Sequence, residues 1–272
     1  MLGCGRADPG PVAELASSRP LAPPASAEAD AKQILFGDLH VHSTYSLDAF
    51  LYSLPLFGGE GAHPVADACD FARHCAGLDF FSINDHAESL TPALWEQTKE
   101  TIRACNARAN DPTHPDLVAF VGFESTQTAA TPENHYRHNN VLFPALADND
   151  RPARPISSIA VSSYEEQRRP PAFLMHGAAS VARLLGYAPY GDLIELMGRF
   201  AWLPDCALDA GTRELPRDCR ESAATPADLF RKLDEWGFPT LVIPHGLAWG
   251  IHAPPGASLA NQLSRAQHDP EK

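Results

Sequence analysis

The segment GDLHVHSTYSLDA, residues 37–49, places two histidines two residues apart and an aspartate six residues after the second. On an extended strand, residues two apart share one face, so the imidazoles of His40 and His42 are expected to point the same way. Imidazole and carboxylate groups are common ligands of divalent metal ions, so this pair with Asp48 is typical of one part of a metal site. The alternative is a polar strand end with two ordinary histidines.

Histidine or glutamate also follows three later apolar runs that are predicted to be strands. These residues are His86, preceded by Asp85, after residues 78–83; Glu124 after residues 117–123; and His245 after residues 240–243. A polar turn before Asn140 adds His135 and His138 as rival candidates. Nitrogen and carboxylate ligands without thiolate suit zinc, manganese or iron. A bridging carboxylate such as Glu124 allows two cations to lie about 3.5–4 Å apart, as in many hydrolases.

The elements that position these residues alternate along the chain. Strands are predicted at residues 34–42, whose first residues are expected to be buried, and at 78–83, 117–123, 140–143 and 240–243. Helices are predicted at residues 63–76, 91–110, 178–185, 192–201 and 226–236. Residues 145–172 look like a long excursion, and Gly77 and Gly237 are placed to end helices. This alternation is typical of an α/β fold with mostly parallel strands, whose chemistry gathers at the C-terminal ends of the strands.

The composition limits the class of protein. The 272 residues are enough to bury a sizeable core, and the formal net charge of -13 argues against binding to nucleic acid. An acidic total does not forbid an anionic substrate, because bound cations reverse the local field. Cys206 and Cys219 bracket a polar loop and can close a disulfide in an oxidising compartment, although two unlinked thiols explain the sequence equally well.

The first 32 residues differ in composition from the rest. They are rich in Ala, Pro and Ser, which predicts a flexible tether ahead of one domain at residues 33–272. The Leu-Gly-Cys sequence ending at Cys4 resembles the end of a bacterial lipoprotein signal, although the basic and apolar regions that precede such a cysteine are missing. An extracytoplasmic location, periplasmic or lipid-anchored through Cys4, is therefore expected, with a cytoplasmic one as the alternative.

The ordered set of site residues resembles the PHP superfamily, named for polymerase and histidinol phosphatase. More narrowly, GDLHVHSTYSLDA, LDFFSINDHAE, FVGFEST and TLVIPHG resemble the bacterial family called domain of unknown function 3604, over residues 34–270. The resemblance implies a distorted (β/α)7 barrel that holds two or three divalent ions (zinc, manganese or iron). It also implies hydrolysis of a small-molecule phosphoester by metal-activated water.

The resemblance also implies a role for each site residue. His40 and His42 would hold the first metal, Glu124 would bridge the first and second, His138 and His245 would serve the second, and His86 and Asp48 would serve the third. Asp85 would orient a ligand from behind, and Arg137 would clamp the phosphate unless it is a solvated surface residue. His176 has no counterpart and is expected to be structural or a rim contact; the remaining histidines, His63, His74, His114, His252 and His268, are expected on the surface.

The chain departs from the superfamily pattern in its last part. Members usually end with an Asp-x-His pair that completes the metal sites, and none follows His245 here. We therefore expect a barrel that is incomplete at the C-terminus, with an unpaired edge and exposed apolar surface. Two alternatives to a phosphoesterase stay open. One is an amidohydrolase-like enzyme, although the bridging lysine of that class is missing between Lys99 and Lys232. The other is an inactive remnant that acts as a binding protein.

Overall fold

The computed structural model describes residues 34–108, 114–144, 151–158, 170–245, 254, 256 and 257. The strands are β1 (Gly37–Val41), β2 (Phe80–Ile83), β3 (Val118–Gln127), β4 (Arg137–Phe143), β5 (Ile156–Ser157), β6 (Glu221–Ser222) and β7 (Leu241–His245). The helices are α1 (Leu47–Tyr52), α2 (Val65–Asp70), α3 (Pro92–Ala107), α4 (Ala172–Leu184), α5 (Ala188–Ala201) and α6 (Pro226–Trp236). A π-helical segment, Phe71–Ala76, continues α2.

Five strands form one sheet in the order β1-β2-β3-β4-β7, and β5 and β6 form a separate parallel pair. Strands β1, β2 and β3 are parallel, whereas β4 runs antiparallel to both β3 and β7. The predicted α/β class is therefore confirmed, with one reversed strand. Because β4 is reversed, its first residues lie at the same edge of the sheet as the last residues of its neighbours. His138 accordingly pairs with Thr126 of β3 and with His245 of β7.

The sheet is curled into a half-barrel. Asn140 on β4 donates a hydrogen bond from Nδ2 to the carbonyl oxygen of Leu39 on β1, 3.2 Å away, although two strands separate β1 from β4. The imidazoles of His40 and His245, on the two edge strands, approach to 4.2 Å between ring centroids. The curl therefore brings the polar ends of all five strands around one point.

The predicted helix boundaries hold where the local chemistry is strong. Thr91 caps α3 by accepting a hydrogen bond from the amide of Leu94, and Thr225 caps α6 in the same way through Asp228. Proline occupies the first turn of both helices, where its missing amide costs nothing. Gly77 and Gly237 end their helices in the left-handed region, with φ of 61° and 68°, which favours glycine.

The first predicted strand is wrong in its first part. Ile34, Leu35 and Phe36 precede β1, and Ile34 is 81% exposed. Leu35 and Phe36 are exposed as well, so this apolar run lies outside the core, which hydrophobicity alone does not reveal. Other boundaries moved outward: β3 extends to Gln127, β4 begins at Arg137, and the two middle helices are longer than predicted. Residues 145–150 and 159–169 of the predicted excursion lie outside the described residues, as does the end predicted for α3 at Asn110.

The core lies between one face of the sheet and the helices α2 and α3. Trp95 of α3 packs against Phe123 and Phe143, with ring centroids 6.0 and 6.3 Å apart, and donates a 2.8 Å hydrogen bond from Nε1 to the carbonyl of Pro152. Burial of each such side chain stabilises the fold by roughly 1.5–3 kcal/mol. Because successive residues on a strand face opposite sides, Phe123 enters this core and Glu124 faces the concave side.

Two disulfides that join pairs of described cysteines lie outside the sheet. Cys206 and Cys219 form a disulfide, which is the first of the two alternatives that the sequence left open. Cys69–Cys105 joins α2 to α3, and the sequence spacing gave no indication of it. Among the described helices, none has both the length and the apolar character that crossing a bilayer requires.

Candidate metal centre

Glu124 is the centre of the candidate site. It lies within β3, is 2% exposed, and faces two histidines with each carboxylate oxygen. Oε2 lies 3.1 Å from Nε2 of His40 and 2.9 Å from Nε2 of His42. Oε1 lies 2.5 Å from Nδ1 of His138 and 3.1 Å from Nε2 of His245. One carboxylate therefore joins ligands from β1, β4 and β7.

The first pair of histidines forms a tight triangle with Glu124. The Nε2 atoms of His40 and His42 are 2.9 Å apart, and each lies about as far from the same carboxylate oxygen. Donor atoms about 3 Å apart have the spacing expected of ligands that share one cation through bonds of about 2.1 Å. The alternation of β1 explains the arrangement, since both imidazoles leave the strand on one face.

His86 and Asp48 form the outer part of the site. His86 follows β2, and its Nε2 lies 3.2 Å from Oδ2 of Asp48 at the start of α1. Nδ1 of His86 lies 3.9 Å from Oε1 of Glu124, and its ring centroid lies 5.0 Å from that of His42. His86 therefore connects the outer carboxylate to the central one.

The ligand atoms fall into three groups that could each hold a metal ion. These groups are His40, Glu124 and His245; His42, Asp48 and His86; and His86, Glu124 and His138. Within each group, the ligand atoms lie within 4.8 Å of one another. All seven residues predicted as ligands are present in these groups. The grouping differs from the prediction at His42, which was expected to share a metal with His40. His42 faces Glu124 beside His40, but it also forms a group with Asp48 and His86.

The donor chemistry fits a divalent cation. The groups offer imidazole nitrogens and carboxylate oxygens, the set that zinc, manganese and iron accept. Among the described residues thiolate plays no part, since all five cysteines there, Cys69, Cys75, Cys105, Cys206 and Cys219, are in disulfides.

The electrostatics of the site favour charged carboxylates. Burial alone would raise the pKa of Glu124, but hydrogen bonds from His138, His245, His40 and His42 hold that pKa far below its usual range. Burial likewise opposes ionisation of Asp48, yet its hydrogen bond with His86 lowers the pKa to about 2. The same contact overcomes the desolvation of His86 and raises its pKa to about 9. Without metal, the site therefore holds a proton that a cation must displace.

Ser46 and Asp85 support the ligands from behind. Oγ of Ser46 lies 2.7 Å from Nδ1 of His42 and accepts a 2.8 Å hydrogen bond from the backbone amide of His86. Asp85 is buried and accepts hydrogen bonds of 2.7 Å from both the amide and the hydroxyl of Ser43. A further hydrogen bond from Ser46 reaches Asp85, whose pKa burial raises. Asp85 thus reaches the candidate ligands through serines, and its predicted role of orienting a ligand stays a prediction; Ser46 was missed.

Thr126 and Glu88 are further residues that the sequence did not single out. Oγ1 of Thr126 lies 2.7 Å from Nδ1 of His86 and 3.2 Å from Nδ1 of His138, so it separates these two imidazoles. Oε1 of Glu88 accepts hydrogen bonds from the amides of Thr126 and Ser158. Thr126 lies two residues beyond Glu124 on the same face of β3, and that period is a signal that could have found it.

His135 and Arg137 lie on either side of Tyr136 and take different positions from His138. Nδ1 of His135 is within 3.1 Å of the carbonyl oxygen of Ala129, in the turn before β4, and burial lowers its pKa. The choice of His138 over His135 therefore agrees with the geometry. Arg137 is buried rather than solvated, and its backbone is left-handed, with φ of 66°. Such a φ is uncommon outside glycine and marks a constrained start to β4.

The other histidines lie away from the three groups. His176 is exposed on α4, as are His74 on the π-helical segment and His114 before β3, and His63 pairs with Asp67 at 3.1 Å. None of these four belongs to the groups found among the described residues. His252 and His268 lie outside the described residues.

The comparisons with known proteins add one finding. Residues 29–94 match the family model described as "Protein of unknown function (DUF3604)". The matched stretch includes four candidate ligands: His40, His42, Asp48 and His86. The match supports the resemblance to DUF3604 over the first part of residues 34–270, where the sequence predicted it. Glu124 and the later ligands lie beyond the stretch matched by DUF3604. No curated protein and no solved structure matches the chain.

Proposed function

We propose that this protein is a metal-dependent hydrolase of the PHP type that cleaves a small-molecule phosphoester. The observation that carries the proposal is the placement of Glu124, whose two oxygens each face two imidazoles. A buried carboxylate between two sets of nitrogen ligands is the arrangement that bridges two cations. The curled half-barrel sheet is consistent with part of a (β/α)7 barrel, which remains the finer proposal for the fold.

The chain's own residues would divide the work. When bound, divalent ions lower the pKa of water toward neutrality and polarise phosphoryl oxygens. Glu124 would hold the inner ions together with the four imidazoles that face it, those of His40, His42, His138 and His245. An outer ion would be held by His86 and Asp48. Asp85 would fix the loop after His42 through Ser43 and Ser46. Arg137, which the sequence offered as a phosphate clamp, is buried and pairs with Gln127 on the face of β4 opposite to His138, so its position does not support that role.

A specific contrast favours a phosphoesterase over an amidohydrolase-like enzyme. The amidohydrolase-like alternative requires a lysine that bridges two metal ions. The two lysines among the described residues, Lys99 and Lys232, instead pair with Glu96 and Glu221. In the proposed site Glu124 would take the bridging position. The acidic chain also supports a small-molecule substrate over nucleic acid.

The location of the protein is part of the proposal. The disulfides Cys69–Cys105 and Cys206–Cys219 favour an oxidising compartment, in which disulfides form and persist. We therefore propose an extracytoplasmic protein, periplasmic or lipid-anchored through Cys4, which lies outside the described residues. Labelling with a radioactive fatty acid in a bacterial host tests the anchor, and incorporation that survives Cys4→Ser would contradict it.

A substrate panel tests the activity itself. The protein saturated with Mn²⁺ or Zn²⁺ is expected to release p-nitrophenol from its phosphate mono- or diester and no ammonia from amide substrates. His42→Ala and Glu124→Ala are expected to lower turnover by at least 100-fold, whereas His74→Ala, an exposed histidine, is the matched control. Hydrolysis that persists in either site variant would overturn the proposal, and so would a metal-loaded protein that turns over amides alone. A protein that hydrolyses neither class would favour the binding-protein alternative.

A further inference from the structure

An open groove of about 740 Å³ lies directly beside the candidate metal centre. This volume falls within the roughly 300–1,000 Å³ that is usual for small-molecule sites. Asp48, His86 and His138, three of the candidate ligands, line one side of the groove. A substrate whose reacting group lies at those ligands would therefore extend its remaining part into the groove.

The rest of the groove lining is mostly apolar. Leu47 and Leu51 of α1 contribute one wall, Phe200 of α5 another, and Ala129 and Ala130 of the turn after β3 a third. Small hydroxyl side chains complete the lining: Ser89, Thr126 and Thr128. A ligand that buries a hydrocarbon group against such walls binds more tightly, by about fourfold in affinity for each methylene buried.

Beyond the candidate ligands His86 and His138, the ionisable side chains of the groove are acidic. They are Asp48 and Glu88, and none of the lining residues in the described part of the chain is lysine or arginine. Two backbone amides, those of Thr126 and Ser158, already occupy Oε1 of Glu88. A second anionic group on a substrate would therefore lose its hydration without gaining a cationic partner. The groove disfavours sugar bisphosphates, nucleoside polyphosphates and other substrates with a second anionic group.

We propose that this groove selects phosphoesters of an apolar alcohol, an aryl or alkyl group with no anionic substituent. The inference rests on the proposed function, since it takes the reacting phosphate to lie at the metal ligands. The binding of the apolar part, however, depends on the groove and not on turnover. The two claims can therefore be tested separately with phosphonates, which bind without being hydrolysed.

Isothermal titration of the full chain saturated with Mn²⁺ measures the selectivity. Benzylphosphonate is expected to bind at least tenfold more tightly than methylphosphonate. Leu51→Asp, on a side chain that is 40% exposed, should lose at least tenfold in affinity for benzylphosphonate and little for methylphosphonate. Leu208→Asp is the matched control, because Leu208 is 65% exposed and does not line the groove. It should leave both affinities unchanged.

A second variant keeps the test independent of any loss of folding in α1. Ala130→Lys places a cation at the exposed turn of the groove and should raise affinity for 2-carboxyethylphosphonate severalfold. Equal binding of benzyl- and methylphosphonate, or no binding of either, would overturn the groove assignment even if the protein hydrolyses phosphoesters. Selective benzylphosphonate binding without any phosphoester turnover would leave the groove assignment standing and overturn the proposed function.

Discussion

His40 and His245 lie on the two opposite edge strands of the sheet, β1 and β7, yet their ring centroids are 4.2 Å apart. Glu124, in the central strand β3, lies within 3.1 Å of both imidazoles, through Oε2 to His40 and Oε1 to His245. The two edges of the curled sheet are thus joined through side chains at the candidate metal centre. A bound cation would add strong bonds across this junction, which couples metal binding to the stability of the sheet.

Metal binding is therefore expected to stabilise the fold. At a free metal concentration 100 times the dissociation constant, the free energy of unfolding should rise by about 2.7 kcal/mol. Differential scanning calorimetry with and without a chelator measures the shift. His245→Ala should remove most of it, and His176→Ala, on an exposed helix, should not. An unfolding midpoint that does not respond to metal would contradict the coupling.

Ser46 offers a test of the supporting residues. Ser46→Ala removes the partner of His42 Nδ1 and leaves the amide of His86 without its acceptor, so metal affinity should fall by roughly 10–100-fold. Ser53→Ala is the matched control, because Ser53 is also a buried serine with a local hydrogen bond, to the carbonyl of Phe50. Competition with a chromophoric chelator measures both variants. Equal affinities in the two variants would show that Ser46 does not position the ligands.

Proton competition should make metal binding depend on pH. His86, with a pKa of about 9, is protonated at pH 7 in the metal-free protein and must lose that proton to bind a cation. Metal affinity should therefore rise between pH 6 and 9. Titration calorimetry in buffers of different ionisation enthalpy should show release of at least one proton at pH 7. A binding enthalpy that is independent of the buffer would contradict the raised pKa.

The same pKa values set the stability of the metal-free site. The raised pKa of His86 stabilises the fold fully below its unfolded value, about 6.5, and that contribution is lost as pH rises through about 9. The lowered pKa of Asp48 stabilises the fold above its unfolded value, about 3.9, and is lost as pH falls through about 2. The His86–Asp48 pair is therefore most stabilising between about pH 4 and 6.5.

The Cys206–Cys219 disulfide should matter for stability more than for the site. It closes a loop of 13 residues, for which loss of chain entropy in the unfolded state predicts roughly 3 kcal/mol. Urea unfolding of Cys206→Ser is expected to show a loss of that size, with metal affinity unchanged. A variant that instead loses metal binding at native stability would place this loop in the site.

The sequence predicted the candidate ligands better than it predicted the sheet. His40, His42 and Glu124 could be found because a strand fixes which side chains share a face, and polar residues at strand ends are conspicuous after apolar runs. The reversal of β4 could not be predicted, because its short apolar run carries no information on direction. Even so, His138 was placed correctly, since the start of a reversed strand meets the ends of its neighbours.

Other features depend on contacts between distant parts of the chain. The exposure of Ile34 depends on which parts of the chain pack against the residues before β1, and local hydrophobicity does not reveal that. Cys69 and Cys105 become neighbours only when α2 packs against α3. Ser46 looks like an ordinary N-terminal residue of α1, and its contact with His42 depends on the tight turn between β1 and α1.

The metal content of the purified protein shows whether Glu124 and the surrounding histidines bind more than one cation. Inductively coupled plasma mass spectrometry after metal loading and desalting should find two or three transition-metal ions for each chain. Glu124→Gln keeps the size of the bridging side chain but removes its charge, and it should reduce the content to one ion or none. Less than one ion per chain in the unaltered protein, or an unchanged content in Glu124→Gln, would contradict the account.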